Sequence, residues 1–147
     1  VEVRRAGERD IDELARLRAT WRERTADAEF LTTFRAWFVR EQADRWWWIA
    51  VDGLEPVGMV NVKLFDRMPD PHRASSRWGY LANLFVVPPR RGEGVGASLV
   101  AAVLDRARAE GLVRVVLAPS ERSIPLYRRH GFEPATDLLL LPLSDNA

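Results

Sequence analysis

The chain has 147 residues, a length that fits one domain of ordinary size, and 47% of them are hydrophobic, with six Trp and six Phe to fill a core. Its 22 Lys+Arg nearly cancel 21 Asp+Glu, so the overall field argues against nucleic acid or an acidic membrane as a partner, and any anion site must be local. The lack of Cys excludes disulfides, thiolate metal sites and cysteine nucleophiles, and two separated His with no HExxH pattern argue against a zinc or other metal centre.

Residues 1–5 carry no signal-peptide apolar stretch, and no run approaches the ~20 apolar residues of a membrane span. The expectation is one cytoplasmic domain over residues 1–147 with no membrane contact. No internal repeat or low-complexity linker divides it, and Gly and Pro fall between short periodic segments.

Residues 1–5 alternate as a first strand does, and Ile11, Leu14, Leu17 and Trp21 then recur at helical spacing, with acidic Glu8 and Asp10 favourable near the helix start. Phe30, Phe34, Trp37 and Phe38 fall on one face of a second helix, a stripe that reads as core before it reads as a substrate box. Residues 46–51 and 57–65 are β-rich and separated by Asp52-Gly53, a dipeptide suited to a hairpin turn. Trp46, Trp47 and Trp48 must divide between the two faces of their strand, which directs at least one toward a pocket or an interface.

After a polar loop over residues 66–76, residues 78–87 form a strand stopped by Pro88-Pro89. A glycine turn leads into a helix from Val95 that carries Leu99, Val103 and Ala107 and ends at Gly111; a strand over residues 113–117 follows. Pro125 requires the last helix to begin near Ser123 or Ile124, leaving Ser120 in its entry loop. That helix ends at His130-Gly131, where His130 reads as a capping residue; His72 reads as a loop residue. Residues 138–141 before Pro142 suit a last buried strand. The whole pattern is α+β with a mixed sheet.

The most informative segment is Leu84-Phe85-Val86-Val87-Pro88-Pro89-Arg90-Arg91-Gly92-Glu93-Gly94-Val95-Gly96. Its glycines let a backbone approach an anion without Cβ interference, and the free N–H groups of the helix start face that anion with a favourable dipole. A tight turn that needs positive φ is the plain alternative, since short glycine motifs are weak evidence. The spacing is neither that of a dinucleotide-binding G-x-G-x-x-G turn nor that of a Walker loop.

Arg91-x-x-Gly94-x-Gly96 resembles the (Gln/Arg)-x-x-Gly-x-(Gly/Ala) signature of the GNAT family of N-acetyltransferases, and it follows a strand ending Leu-Phe-Val as theirs does. Downstream, the run from Ser120 to Phe132 resembles the family's N-x-x-A-x-x-L-Y-x-x-x-G-F, with Leu126-Tyr127 and Gly131-Phe132 agreeing in spacing. Ser120 replaces the family's Asn and Ser123 its Ala, so the amide that usually contacts the pantetheine arm is missing; a serine hydroxyl acting through water is the substitute.

The resemblance implies a mostly antiparallel sheet of about six to seven strands flanked by about four helices and splayed between the fourth and fifth strands. It implies acetyl-coenzyme A as co-substrate, its pantetheine beside the main chain of Leu84, Phe85 and Val86. Its pyrophosphate would sit on the amides of Gly92, Glu93, Gly94, Val95, Gly96 and Ala97, with Arg91 adding charge and the Glu93 side chain turned to solvent. The acceptor is a small-molecule or protein amine, attacking the thioester directly, with a backbone N–H at Val86 polarising its carbonyl. Tyr127 matches the family's general acid, against the plainer role of orienting the cofactor sulfur. The fourth strand offers Tyr80 and Asn83 where many relatives carry a glutamate, which leaves the base open between ordered water and Glu23, Asp27 or Glu29. The cluster Arg122, Arg128 and Arg129 stands ready for the 3′-phosphate or as plain surface charge. Relatives often form homodimers. The rival from another class is a module that holds acyl-coenzyme A without turnover.

Overall fold

The computed structural model describes residues 1–145. Among them are five strands: β1 (Glu2–Arg5), β2 (Arg45–Asp52), β3 (Glu55–Asp66), β4 (Arg77–Val86) and β5 (Val115–Val116). Four α-helices accompany them: α1 (Ile11–Trp21), α2 (Ala28–Glu41), α3 (Val95–Ala109) and α4 (Ile124–Arg129). The strands form one mixed sheet in the order β1-β2-β3-β4-β5, antiparallel from β1 to β4 and parallel between β4 and β5.

Two cores lie against the two sheet faces. Ile11, Leu14 and Leu17 of α1 and Phe34 and Phe38 of α2 pack on Trp47, Ile49, Met59 and Phe85. Leu99, Val100 and Val103 of α3 cover Trp48, Val60, Val62 and Leu81 on the opposite face. The tryptophan triplet divides as strand alternation requires, Trp47 toward α2 and its neighbours toward α3. Asp10 secures the entry to α1: its carboxylate accepts from Arg4 Nη2 at 2.8 Å, Arg4 Nη1 at 3.0 Å and the Gly7 N–H at 3.0 Å.

The hairpin between β2 and β3 pairs Asp52 with Glu55, so the loop residues are Gly53 and Leu54, with Gly53 taking φ of 61°. That left-handed value suits a two-residue loop whose twist matches the strands.

β4 carries the feature that shapes the site. Met59 pairs with Phe85 and Asn61 with Ala82, so Asn83 and Leu84 together stand opposite Val60 alone. Asn83 absorbs the extra residue at φ of 58°. Such a bulge exchanges the faces of the side chains beyond it. Leu81 accordingly joins the α3 core while Phe85, four residues on, joins the α1/α2 core.

Two expectations are corrected. The sheet has five strands among the described residues, not six to seven, and the fifth is confined to Val115–Val116 within the expected 113–117. Residues 138–141 form no strand: Leu138 is 60% exposed and Leu139 fully so. An unbroken apolar run lacks the alternation that fixes a strand's register, and here no described neighbour pairs with it. The other helices and strands form close to their expected spans.

Candidate active site

α3 begins where Gly94 takes φ of 87°, after Gly92 at 81°. A Cβ added at either glycine would meet nothing within 4 Å. These glycines are therefore needed for backbone conformation and for leaving the concave side of the turn open, not for protein packing. The turn opens on a cleft of about 850 Å³ lined by residues 81–86 of β4, the α3 start, residues 117–120 and Tyr127. β4 and β5 share register only at Gly79–Val115 and Tyr80–Val116. Beyond that pair the rest of β4 and the chain after β5 both border the cleft.

The sequence-derived candidates converge here. Leu84, Phe85, Val86, Arg91, Gly92, Gly94, Val95, Gly96, Ala97, Ser120 and Tyr127 all line this one cleft. Glu93 does not; its carboxylate accepts from Arg90 Nε at 2.9 Å, and Arg90 also donates to Asp52 at 2.8 Å. That pairing neutralises Arg90 and keeps Glu93 off the glycine turn. Arg91 instead donates from Nε to the Val86 carbonyl at 3.0 Å, leaving its charge without a carboxylate partner among the described residues. Arg122 and Arg129 also line the cleft, whereas Arg128 does not. The lining contains no Asp or Glu, so it suits a polyanion.

Tyr127 is 7% exposed and packs edge-to-face on Phe132 at 5.6 Å. Burial pushes its phenol above the ordinary value of 10.0, holding the proton in place. Ser123 Oγ donates to the Ser120 carbonyl at 2.9 Å and lies 3.0 Å from Ser120 Oγ. The Ser120 proton is then best directed to Ser123, and the Ser120 oxygen remains free to accept from the cleft.

A second cavity of about 280 Å³ adjoins the first and is lined by Arg18, Phe30, Thr33, Phe34, Trp37, Trp47, Met59 and Asn83. Asn83 borders both cavities. Its Oδ1 accepts from Asn61 Nδ2 at 2.8 Å, and Asn61, fully buried, accepts in turn from Arg45. Arg45 and Lys63 both donate to Glu41, which holds the Glu41 carboxyl below its ordinary value. The bulge residue thus sits on a charged, hydrogen-bonded base. The aromatic stripe of α2 serves both purposes, Phe38 in the core and Phe30, Phe34 and Trp37 on the cavity wall.

Tyr80 lines neither cavity. Glu23, Asp27 and Glu29 are exposed and also outside both linings, with Asp27 capping α2 through the Phe30 N–H at 2.9 Å. Arg18 escaped sequence reasoning, because a lone arginine on an amphipathic helix has the signature of any solvated face charge. Among the described residues no group of three or more potential metal ligands assembles, and no helix is long and apolar enough to cross a membrane.

Comparison with known proteins gives concordant matches. Glucosamine 6-phosphate N-acetyltransferase of Trypanosoma brucei brucei is 35% identical over 54 residues, which cover 37% of this chain and 37% of that protein. N-alpha-acetyltransferase 30 of Schizosaccharomyces pombe is 32% identical over 87 residues, covering 57% of this chain and 55% of the relative. The chain thus matches from a little over a third to about half the length of these curated relatives. A predicted acetyltransferase of Clostridium acetobutylicum, solved with acetyl-CoA, shares the fold with a TM-score of 0.78 at 20% identity, over 97% of this chain and 96% of that one. The model of the acetyltransferase (GNAT) family matches residues 11–132, and the chain belongs to that family.

Proposed function

We propose that this chain transfers the acetyl group of acetyl-coenzyme A directly to a primary amine. The observation that carries the reading is the convergence of an open glycine turn, the stretch of β4 left without a partner on its β5 side among the described residues, Ser120 and Tyr127 on one cleft without a carboxylate. The cleft's donor set fits the co-substrate. The amides from Gly92 to Ala97 at the start of α3 suit the pyrophosphate, with unpaired Arg91 beside them. Arg122 and Arg129 suit the remaining phosphate. Leu84, Phe85 and Val86 offer main-chain groups to the amide-rich pantetheine arm, which lies where β4 and β5 diverge.

Tyr127 is the acid of this reaction. As the amine nitrogen bonds to the acyl carbon and the carbon–sulfur bond breaks, the departing sulfur takes the phenolic proton, which solvent then restores. The raised phenol value keeps that proton available throughout the neutral range. The Val86 N–H is the donor that polarises the carbonyl. With no carboxylate lining either cavity, the amine gives up its proton to water. No observation favours a module that only holds acyl-coenzyme A. The active species in this reading is a homodimer, supported by an outer edge of β5 that no strand among the described residues pairs and by the exposed leucines of residues 138–143.

Thiol release from acetyl-coenzyme A against a panel of primary amines tests the reading. Amine-dependent release that Tyr127→Phe lowers about 100-fold, with cofactor affinity retained, is the expected result. Release unaffected by that substitution would remove Tyr127 from the chemistry.

A further inference from the structure

The smaller cavity is built unlike the cofactor cleft. Phe30, Phe34, Trp37, Trp47 and Met59 give it apolar walls, and the T-shaped contact of Trp37 with Trp47 at 5.8 Å helps fix their shape. Its one charged lining residue is Arg18. The Arg18 guanidinium lies 4.9 Å from the centre of the Trp21 ring, and Trp21 stacks on Phe85 at 5.4 Å. These contacts hold Arg18 against the shared border of the two cavities, since Trp21 and Phe85 line the larger one. Arg18 has no carboxylate within ion-pair distance among the described residues and is half-buried. Burial and the neighbouring Arg22 both disfavour its charge, a strain that a bound anion would relieve.

An unpaired, partly desolvated guanidinium at the rim of an apolar cavity is a receptor for a carboxylate attached to an apolar group. The same lining argues against a polyamine or an unmodified amino sugar, because it offers no carboxylate for a second ammonium and little hydrogen-bonding capacity for several hydroxyls. Asn83 is common to both cavities, so a ligand seated in the smaller one lies next to the cleft assigned to the co-substrate. The volume of about 280 Å³ matches one amino-acid-sized group.

Resting on the acetyltransferase reading above, we propose that the acceptor is a free α-amino acid with a bulky apolar side chain: its side chain enters the aromatic cavity, its carboxylate pairs with Arg18, and its amine faces the acetyl thioester past Asn83. Arg18 is the specificity-determining residue of this arrangement.

The test compares L-phenylalanine and L-leucine with phenethylamine and isopentylamine, which keep the side chain and amine but lack the carboxylate, and with spermidine. Thiol release is followed alongside melts with acetyl-coenzyme A. The expected result is kcat/KM at least tenfold higher for the amino acids than for the matching amines. Arg18→Gln should bring that ratio close to one, mainly through KM, and Arg18→Lys should restore part of it. Equal use of the paired substrates by the unaltered protein, preference for spermidine, or an unchanged ratio in Arg18→Gln would overturn the proposal. Each variant is read only after its melt with acetyl-coenzyme A matches that of the parent, so a folding defect is not mistaken for lost recognition. A cofactor-induced shift with no turnover of either amino acid refutes the acceptor assignment and leaves the acetyltransferase reading standing. Absence of the shift refutes both.

Discussion

Individual side chains here are set by what they lack as much as by what they touch. Burial alone raises the Tyr127 phenol value. Activity should therefore rise with pH only as the acceptor amine deprotonates and should hold until the phenol itself ionises above its ordinary value of 10.0; a pH profile of kcat/KM would show this. An alkaline limb well below pH 10 would contradict the assignment. The sign for stability is the same: the folded state keeps the proton that the unfolded chain releases, so this group's contribution is lost as pH rises beyond the unfolded value. Asp10 behaves oppositely. The Arg4 guanidinium, aided by the Gly7 N–H, holds its carboxyl below the ordinary 3.8. Its contribution is present above the unfolded value and disappears as pH falls through the folded one. Asp10→Asn should cost about 3 kcal/mol in urea unfolding at neutral pH, because it leaves a partly buried Arg4 without its counter-charge. A loss below about 0.5 kcal/mol, the usual range of surface changes, would show the pair to be ornamental.

At the scale of elements, the glycine turn, the start of α3 and the start of α4 were legible because each is set by local chemistry. Gly94 supplies positive φ, and Pro125 keeps a regular helix from extending back before Ile124. The β4 bulge was not legible. Asn83 carries no Gly or Pro signal, and its left-handed φ is imposed by pairing with β3, a partner distant in sequence. Asn83→Ala should destabilise the fold by about 2 kcal/mol, combining the left-handed penalty with an unpaired Asn61 amide. Asn83→Gly should cost less, since glycine accepts the backbone geometry. Both variants lose the bond to Asn61, so a glycine variant no more stable than the alanine one in denaturant melts would mean that the left-handed backbone adds no penalty at this position. Residues 138–141 show the converse failure, where apolar composition alone suggested burial but no partner strand exists among the described residues.

For the molecule as a whole, the two cores place different chemistry on the two faces of one sheet. The α3 face delivers the glycine turn and Tyr127, while the α1/α2 face delivers the aromatic cavity, and the bulge lets β4 serve both. The cofactor cleft could be read from two ordered motifs. The aromatic cavity could not, because its walls come from α1, α2, β2, β3 and β4 and only the tertiary fold brings them together. Leucines 138, 139, 140, 141 and 143 are all at least 60% exposed, and among the described residues no strand pairs with the outer edge of β5. Sedimentation velocity should show a dimer that Leu139→Asp with Leu141→Asp converts to monomer; a parent protein that stays monomeric at high concentration would remove the dimer from the account.

The central claim is that the cleft at the start of α3 receives acetyl-coenzyme A, and thermal unfolding with increasing acetyl-coenzyme A tests it most directly. At 100 times the dissociation constant the fold should gain about 2.7 kcal/mol, which raises Tm by about 5–10 °C for a chain of this length. No rise in Tm at saturating acetyl-coenzyme A would mean that the glycine turn is only a turn, and the account would fall.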